Sequence, residues 1–79
     1  MLGQIQLRQE IAIRLKQARE QAGFSSPEAF CQQYHLNVKE YTKHEAGAAA
    51  LRASHALRYT QLLKVSIQWL MIGEEKQAS

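Results

Sequence analysis

One proline and four glycines among 79 residues leave long stretches with nothing to interrupt a helix, and this scarcity constrains the fold more than any other feature. Three of the glycines, Gly23, Gly47 and Gly73, each follow a run of helix-favouring residues, where a C-terminal cap belongs. Nowhere do β-branched residues alternate with polar ones over the length of a strand. The chain therefore reads as all-α, and its length fits one small domain with a local, well-packed core. Cys31 is the only cysteine, which excludes an internal disulfide and a multi-cysteine zinc site and suits a reducing, cytoplasmic interior. No apolar run is long enough for a secretory signal or a membrane span.

Apolar periodicity and cap residues divide the chain into five helices. Ile11, Leu15, Ala18 and Ala22 recur at helical spacing and predict a first helix from near Gln6 to Ala22. Residues 1–9 are either an arm or a backward extension of that helix; residues 10–73 form the domain and 74–79 a flexible tail. Ser25 or Ser26 caps the second helix, with Pro27 in its first turn, Glu28 three residues after Ser25, and Phe30, Cys31 and Tyr34 inward. Asn37 is the next cap, with Glu40 at the capping-box position, so two short helices meet at a tight turn through His35 and Leu36. The third helix spans about Val38 to Glu45, with Tyr41 and His44 inward and Lys39, Glu40, Thr42 and Lys43 outward. A fourth runs from about Ala53 to Leu63 on a stripe of Ala56, Tyr59, Thr60 and Leu63, and Ser66 caps a short fifth helix carrying Ile67, Trp69 and Leu70.

Four pieces in this order, Ile11-x-x-Arg14-Leu15-Lys16-x-x-Arg19, Gly23-Phe24-Ser25, Tyr41-x-x-His44-Glu45-x-Gly47 and Val65-Ser66-x-x-Trp69-Leu70-x-x-Gly73-Glu74, resemble the lambda-repressor-like, Cro-type helix-turn-helix family. The resemblance covers roughly Ile11 to Glu74. It implies a compact five-helix DNA-binding domain, acting as a homodimeric transcriptional regulator, most simply a repressor, on double-stranded DNA. The family's outward base- and phosphate-reaching positions correspond to Val38, Lys39, Thr42 and Lys43; Asn37 and Arg52 flank them, and Ser26 and Pro27 stand where the family often braces a phosphate with glutamine. Arg19 and Glu45 correspond to a buried structural ion pair. His35 and Lys64 replace glycines common in the family, and a left-handed backbone at either costs about 1 kcal/mol.

Charge leaves a competing reading open. Ten Lys plus Arg stand against seven Glu, a net +3, yet between Gly23 and Gly47 the two lysines are outnumbered by Glu28, Glu40 and Glu45. Phosphate binding then has to draw on Arg14, Lys16, Arg52 and Arg58. The alternative is a protein-binding module of antitoxin or adaptor type that keeps the fold without reading DNA. Cys31 and His35, four apart, share a helical face with His44 and His55 as possible partners, but no second ligand pair completes a tetrahedral site, so neither metal nor cofactor is expected. Nor is an enzyme, since a helical chain this small offers no evident pocket for catalysis or for a small-molecule ligand. Trp69 reads mainly as core, and with Met71 and Ile72 beside it at the end of the last helix it makes a candidate dimer interface.

Overall fold

The computed structural model describes the backbone of residues 2–73 and the side chains of residues 7–73. The expected tail at 74–79 lies outside the described residues, as do the side chains of 1–6. Among the described residues there are five helices and no strand: α1 (Leu2–Gln21), α2 (Pro27–Tyr34), α3 (Val38–Glu45), α4 (Ala53–Leu63) and α5 (Ile67–Ile72).

Each boundary has a local cause. α1 begins earlier than its apolar stripe, at Leu2, because the leading residues are mostly good helix formers with no proline among them. It closes where Gly23 turns left-handed at φ +99° and Phe24 N–H donates to the Arg19 carbonyl at 3.1 Å. In α2, Ser26 rather than Ser25 is the cap, its hydroxyl accepting from the Ala29 N–H at 3.1 Å. Pro27 decides this: lacking an N–H and fixed in φ, it is suited to the first helical position, which makes the residue before it the cap.

The turn between α2 and α3 is held at both ends. His35 takes the left-handed conformation, φ 57°, and Leu36 N–H donates back to the Cys31 carbonyl at 2.9 Å. Asn37 Oδ1 then accepts from Glu40 N–H at 2.9 Å and starts α3. α4 ends the same way as α2, on a left-handed Lys64 at φ 59°, and the Ser66 hydroxyl caps α5 by accepting from Trp69 N–H at 3.1 Å.

α1 packs against both α3 and α5, α2 packs on α3 and α4 on α5, and the core fills the space between them. Leu15, Phe30, Cys31, Tyr41, Ala56 and Leu70 are fully buried. Phe30 sits at its centre, with ring centroids 5.3 Å from Phe24, 5.5 Å from Tyr34 and 5.1 Å from Tyr41, and Tyr41 meets Tyr59 edge-on at 5.1 Å. Edge-to-face aromatic packing of this kind adds about 0.5 to 1.5 kcal/mol per pair beyond area burial. Its consequence for the rest of the molecule is orientation: with Tyr41 anchored, the opposite face of α3 has to point to solvent.

Candidate nucleic-acid interface

α3 is the element on which the candidate site is built. Tyr41 and His44, three apart, are buried at 0% and 6% exposure, while Val38, Lys39 and Lys43 are exposed and Thr42 is half-buried. Thr42 Oγ1 donates to the carbonyls of Val38 and Lys39, at 2.9 and 3.0 Å. That occupies its one hydrogen and leaves a methyl group and oxygen lone pairs for a partner. Asn37 is exposed, and capping uses only its carbonyl, so its amide N–H groups are still available to an acceptor.

Two buried attachments fix the angle of this helix. Arg19, on α1, grips Glu45 at the end of α3 through Nε to Oε2 and Nη2 to Oε1, both 2.9 Å, with side chains only 3% and 9% exposed. Its remaining Nη1 donates to the Phe24 carbonyl at 2.7 Å, so one guanidinium ties together α1, the loop before α2 and α3. The hydrogen bonds that Arg19 donates to Glu45 hold its guanidinium above its ordinary range, outweighing the loss of hydration. Burial, with Glu45 nearby, pushes the Tyr41 hydroxyl far above its own. The second attachment is His44, whose Nδ1 lies 2.9 Å from the Tyr59 hydroxyl of α4. Burial and the neighbouring His55 hold His44 below its ordinary value, and burial pushes Tyr59 up to about 12.

An open groove of about 760 Å³ runs between α3 and the start of α4. Asn37, Lys39, Lys43 and Arg52 line it, together with Glu40 and His55, and the small residues Ala49 and Ala50 leave its mouth wide. Arg52 reaches the groove because it holds the N-cap position of α4 without a side-chain capping bond. Lys39, Lys43, Asn37 and Arg52 therefore share one surface, and the outward Val38 and Thr42 lie on the same helix.

Other sequence-derived candidates are placed elsewhere. Ser26 and Pro27, both half-buried at the start of α2, are not on the groove, and the Ser26 hydroxyl oxygen is engaged by its own helix. Arg14 is withdrawn from phosphate binding altogether: its Nε donates to the Leu70 carbonyl at 2.8 Å, and its guanidinium lies against Gly73, where an added Cβ would approach Nη1 to 2.8 Å. An arginine that satisfies a carbonyl near the end of α5 serves the fold. Lys16 and Arg58 are exposed but do not line the groove. Of the expected dimer patch, Trp69 and Met71 are partly buried and packed against the core, so Ile72, 57% exposed, is its open member.

Cys31 is buried in the core, where desolvation raises its thiol, and His35 is exposed at the turn. Among the described residues no group of three His, Cys, Asp or Glu side chains is placed to hold a metal ion. Sequence reasoning missed the pairing of His44 with Tyr59 and of His55 with Glu40, the latter at 3.3 Å from Nε2 to Oε2. The four-residue spacings Glu40 to His44 and His55 to Tyr59 put each pair on one helical face, which was the available signal. Among the described residues no helix is long and apolar enough to cross a membrane.

Among the described residues the fold is an all-α domain of five helices with a groove on which Lys39, Lys43 and Arg52 come together. Comparison of the chain with protein-family models, with curated proteins and with solved structures gives no match.

Proposed function

We propose that this protein is a sequence-specific DNA-binding regulator of lambda-repressor-like type, pairing as a homodimer so that two copies of α3 enter the major groove at neighbouring half-sites. The observation that carries this reading is the build of α3. Its inner face is locked by Tyr41, His44 and the Arg19–Glu45 pair, while Val38, Lys39, Thr42 and Lys43 are left outward beside Arg52. A rigid helix with a short basic outer face suits direct readout. Lys39 in the first turn and Lys43 in the second are placed to reach phosphate or guanine, and the methyl groups of Val38 and Thr42 suit thymine. Ser26 and Pro27 stand at the start of the preceding helix, the part of such a domain that lies along the DNA backbone. Regulation follows from occupancy of the operator, most simply as repression.

Selection of bound duplexes from a random pool, followed by titration at several salt concentrations, tests the proposal. The expected product is an enriched palindrome. With Lys43→Ala, loss of a phosphate contact lowers the salt slope by about 1 without changing sequence preference, whereas loss of a guanine contact costs about 1 to 3 kcal/mol only at sites carrying that base. Uniformly weak binding to every duplex, unaltered by Lys39→Ala or Lys43→Ala, refutes the proposal and favours a protein-binding module of antitoxin or adaptor type.

A further inference from the structure

Glu40 holds the capping-box position of α3, yet only half of a capping box forms. Asn37 Oδ1 accepts from the Glu40 N–H at 2.9 Å, while among the described residues the Glu40 carboxylate makes no return bond to the Asn37 N–H. The carboxylate stands instead on the groove wall, 52% exposed, with Oε2 3.3 Å from His55 Nε2. Lys39, Lys43 and Arg52 line the same groove, and among the described residues none of them forms a salt bridge with it.

Beside a duplex, an acidic side chain in this place repels phosphate and so weakens binding to every sequence alike. The part of the major groove that offers a carboxylate a partner is a base edge carrying an amino group, cytosine N4 or adenine N6. Adenine sets its N7 acceptor next to that amino group, and guanine and thymine present O6 or O4 acceptors, so cytosine is the best match. The buried Nδ1 of His55 has no partner, which favours the tautomer with its hydrogen on Nε2 and turns the positive end of that N–H toward Glu40. A carboxylate has about four acceptor positions, so the contact with His55 leaves others open to a base.

The neighbouring lysines supply the complementary half. Lys39 and Lys43, four residues apart, are separated by about 6 Å along the helix axis, less than two base-pair steps of about 3.4 Å. Glu40 lies between them in the chain and meets the same short stretch of DNA. An ammonium on guanine O6 or N7 and a carboxylate on cytosine N4 together fit the two edges of a G·C pair. We propose that Glu40 is a specificity-determining residue that selects cytosine within the bases reached by Lys39 and Lys43. The proposal rests on the groove being the DNA-facing surface.

The test takes the full chain, Glu40→Ala and Glu40→Gln through selection from a random duplex pool, then titrates the selected duplex and its single-base-pair variants. Circular dichroism verifies that each variant is folded. The parent should select cytosine at one position in each half-site, and exchanging it for thymine should lower parent affinity about five- to 150-fold. Glu40→Ala should lose that discrimination, keep the preferences at other positions, and bind unrelated duplexes more tightly than the parent, because the repulsion is gone. Glu40→Gln should move the preference at that position to adenine, whose N6 and N7 an amide pairs with. If the parent selects a site and both variants keep its preference at every position, at whatever affinity, the role of Glu40 is overturned and DNA binding stands. A parent that enriches no sequence overturns the DNA-reading function itself, and the role of Glu40 with it.

Discussion

Replacing Arg19 by alanine removes a side chain that ties together α1, the loop before α2 and α3. The lost contacts are two hydrogen bonds to Glu45 at 2.9 Å and one to the Phe24 carbonyl at 2.7 Å. The larger penalty is what remains, since the Glu45 carboxyl is left without its partner on a side chain only 9% exposed. Breaking a buried pair from one side costs about 3 to 5 kcal/mol, and relaxation of Glu45 toward water at the end of α3 brings the expected loss to about 3 kcal/mol. A chain of 79 residues has a total stability of about 4 to 12 kcal/mol, so the variant is expected to melt about 12 to 25 °C below the parent. Far-UV circular dichroism melts with matched urea titrations measure it. Arg19→Lys should fall between the two, because an ammonium retains the charge but not the paired N–H fork. A melting point for Arg19→Ala within about 2 °C of the parent would refute the claim that this pair holds α3 in place.

Three further outcomes follow from named contacts. His35→Gly and Lys64→Gly each relieve a left-handed backbone at φ 57° and 59°, so each should stabilise the fold by up to about 1 kcal/mol in urea titrations; a loss at either position would show that its side chain contributes more than its backbone costs. Because burial holds His44 below its ordinary value of 6.5, the unfolded chain takes up a proton that the folded one resists. Stability present above that pH should be lost as the pH falls through the folded value, and denaturant midpoints that do not fall on acidification would contradict this. Ile72→Lys places a charge on the open member of the dimer patch, 57% exposed, and should shift sedimentation toward a folded monomer; an unchanged dimer would place the interface elsewhere.

Local signals carried most of the secondary structure. The bounds of α3 and α4 could be read directly, because Asn37 and the stripe Ala56, Tyr59, Thr60, Leu63 act over a single turn or along a single helix face. The left-handed glycines 23, 47 and 73 were legible for the same reason, since cap geometry is set within a few residues, whereas His35 and Lys64 were flagged only by the resemblance, which has glycine at both places. Ambiguity began where two local signals competed, as at Ser25 and Ser26, and there the missing N–H of Pro27 settled the start of the helix. The outward face of α3 was also legible, since the inward Tyr41 and His44 imply it.

Only tertiary structure decided how the charged residues divide between the fold and the site. Arg14 and Arg52 are indistinguishable as letters, yet Arg14 is drawn to the Leu70 carbonyl 56 positions away, while Arg52 stays exposed at the cap of α4 and lines the groove. Glu40 and His55 become partners for the same reason, since α4 packs back beside α3 across the Ala-rich connection. A side chain's partner across the fold depends on the distance and angle between helices. Those are fixed by how Phe30, Tyr41, Tyr59 and Leu70 fill a shared core, a volume that no single helix's periodicity records.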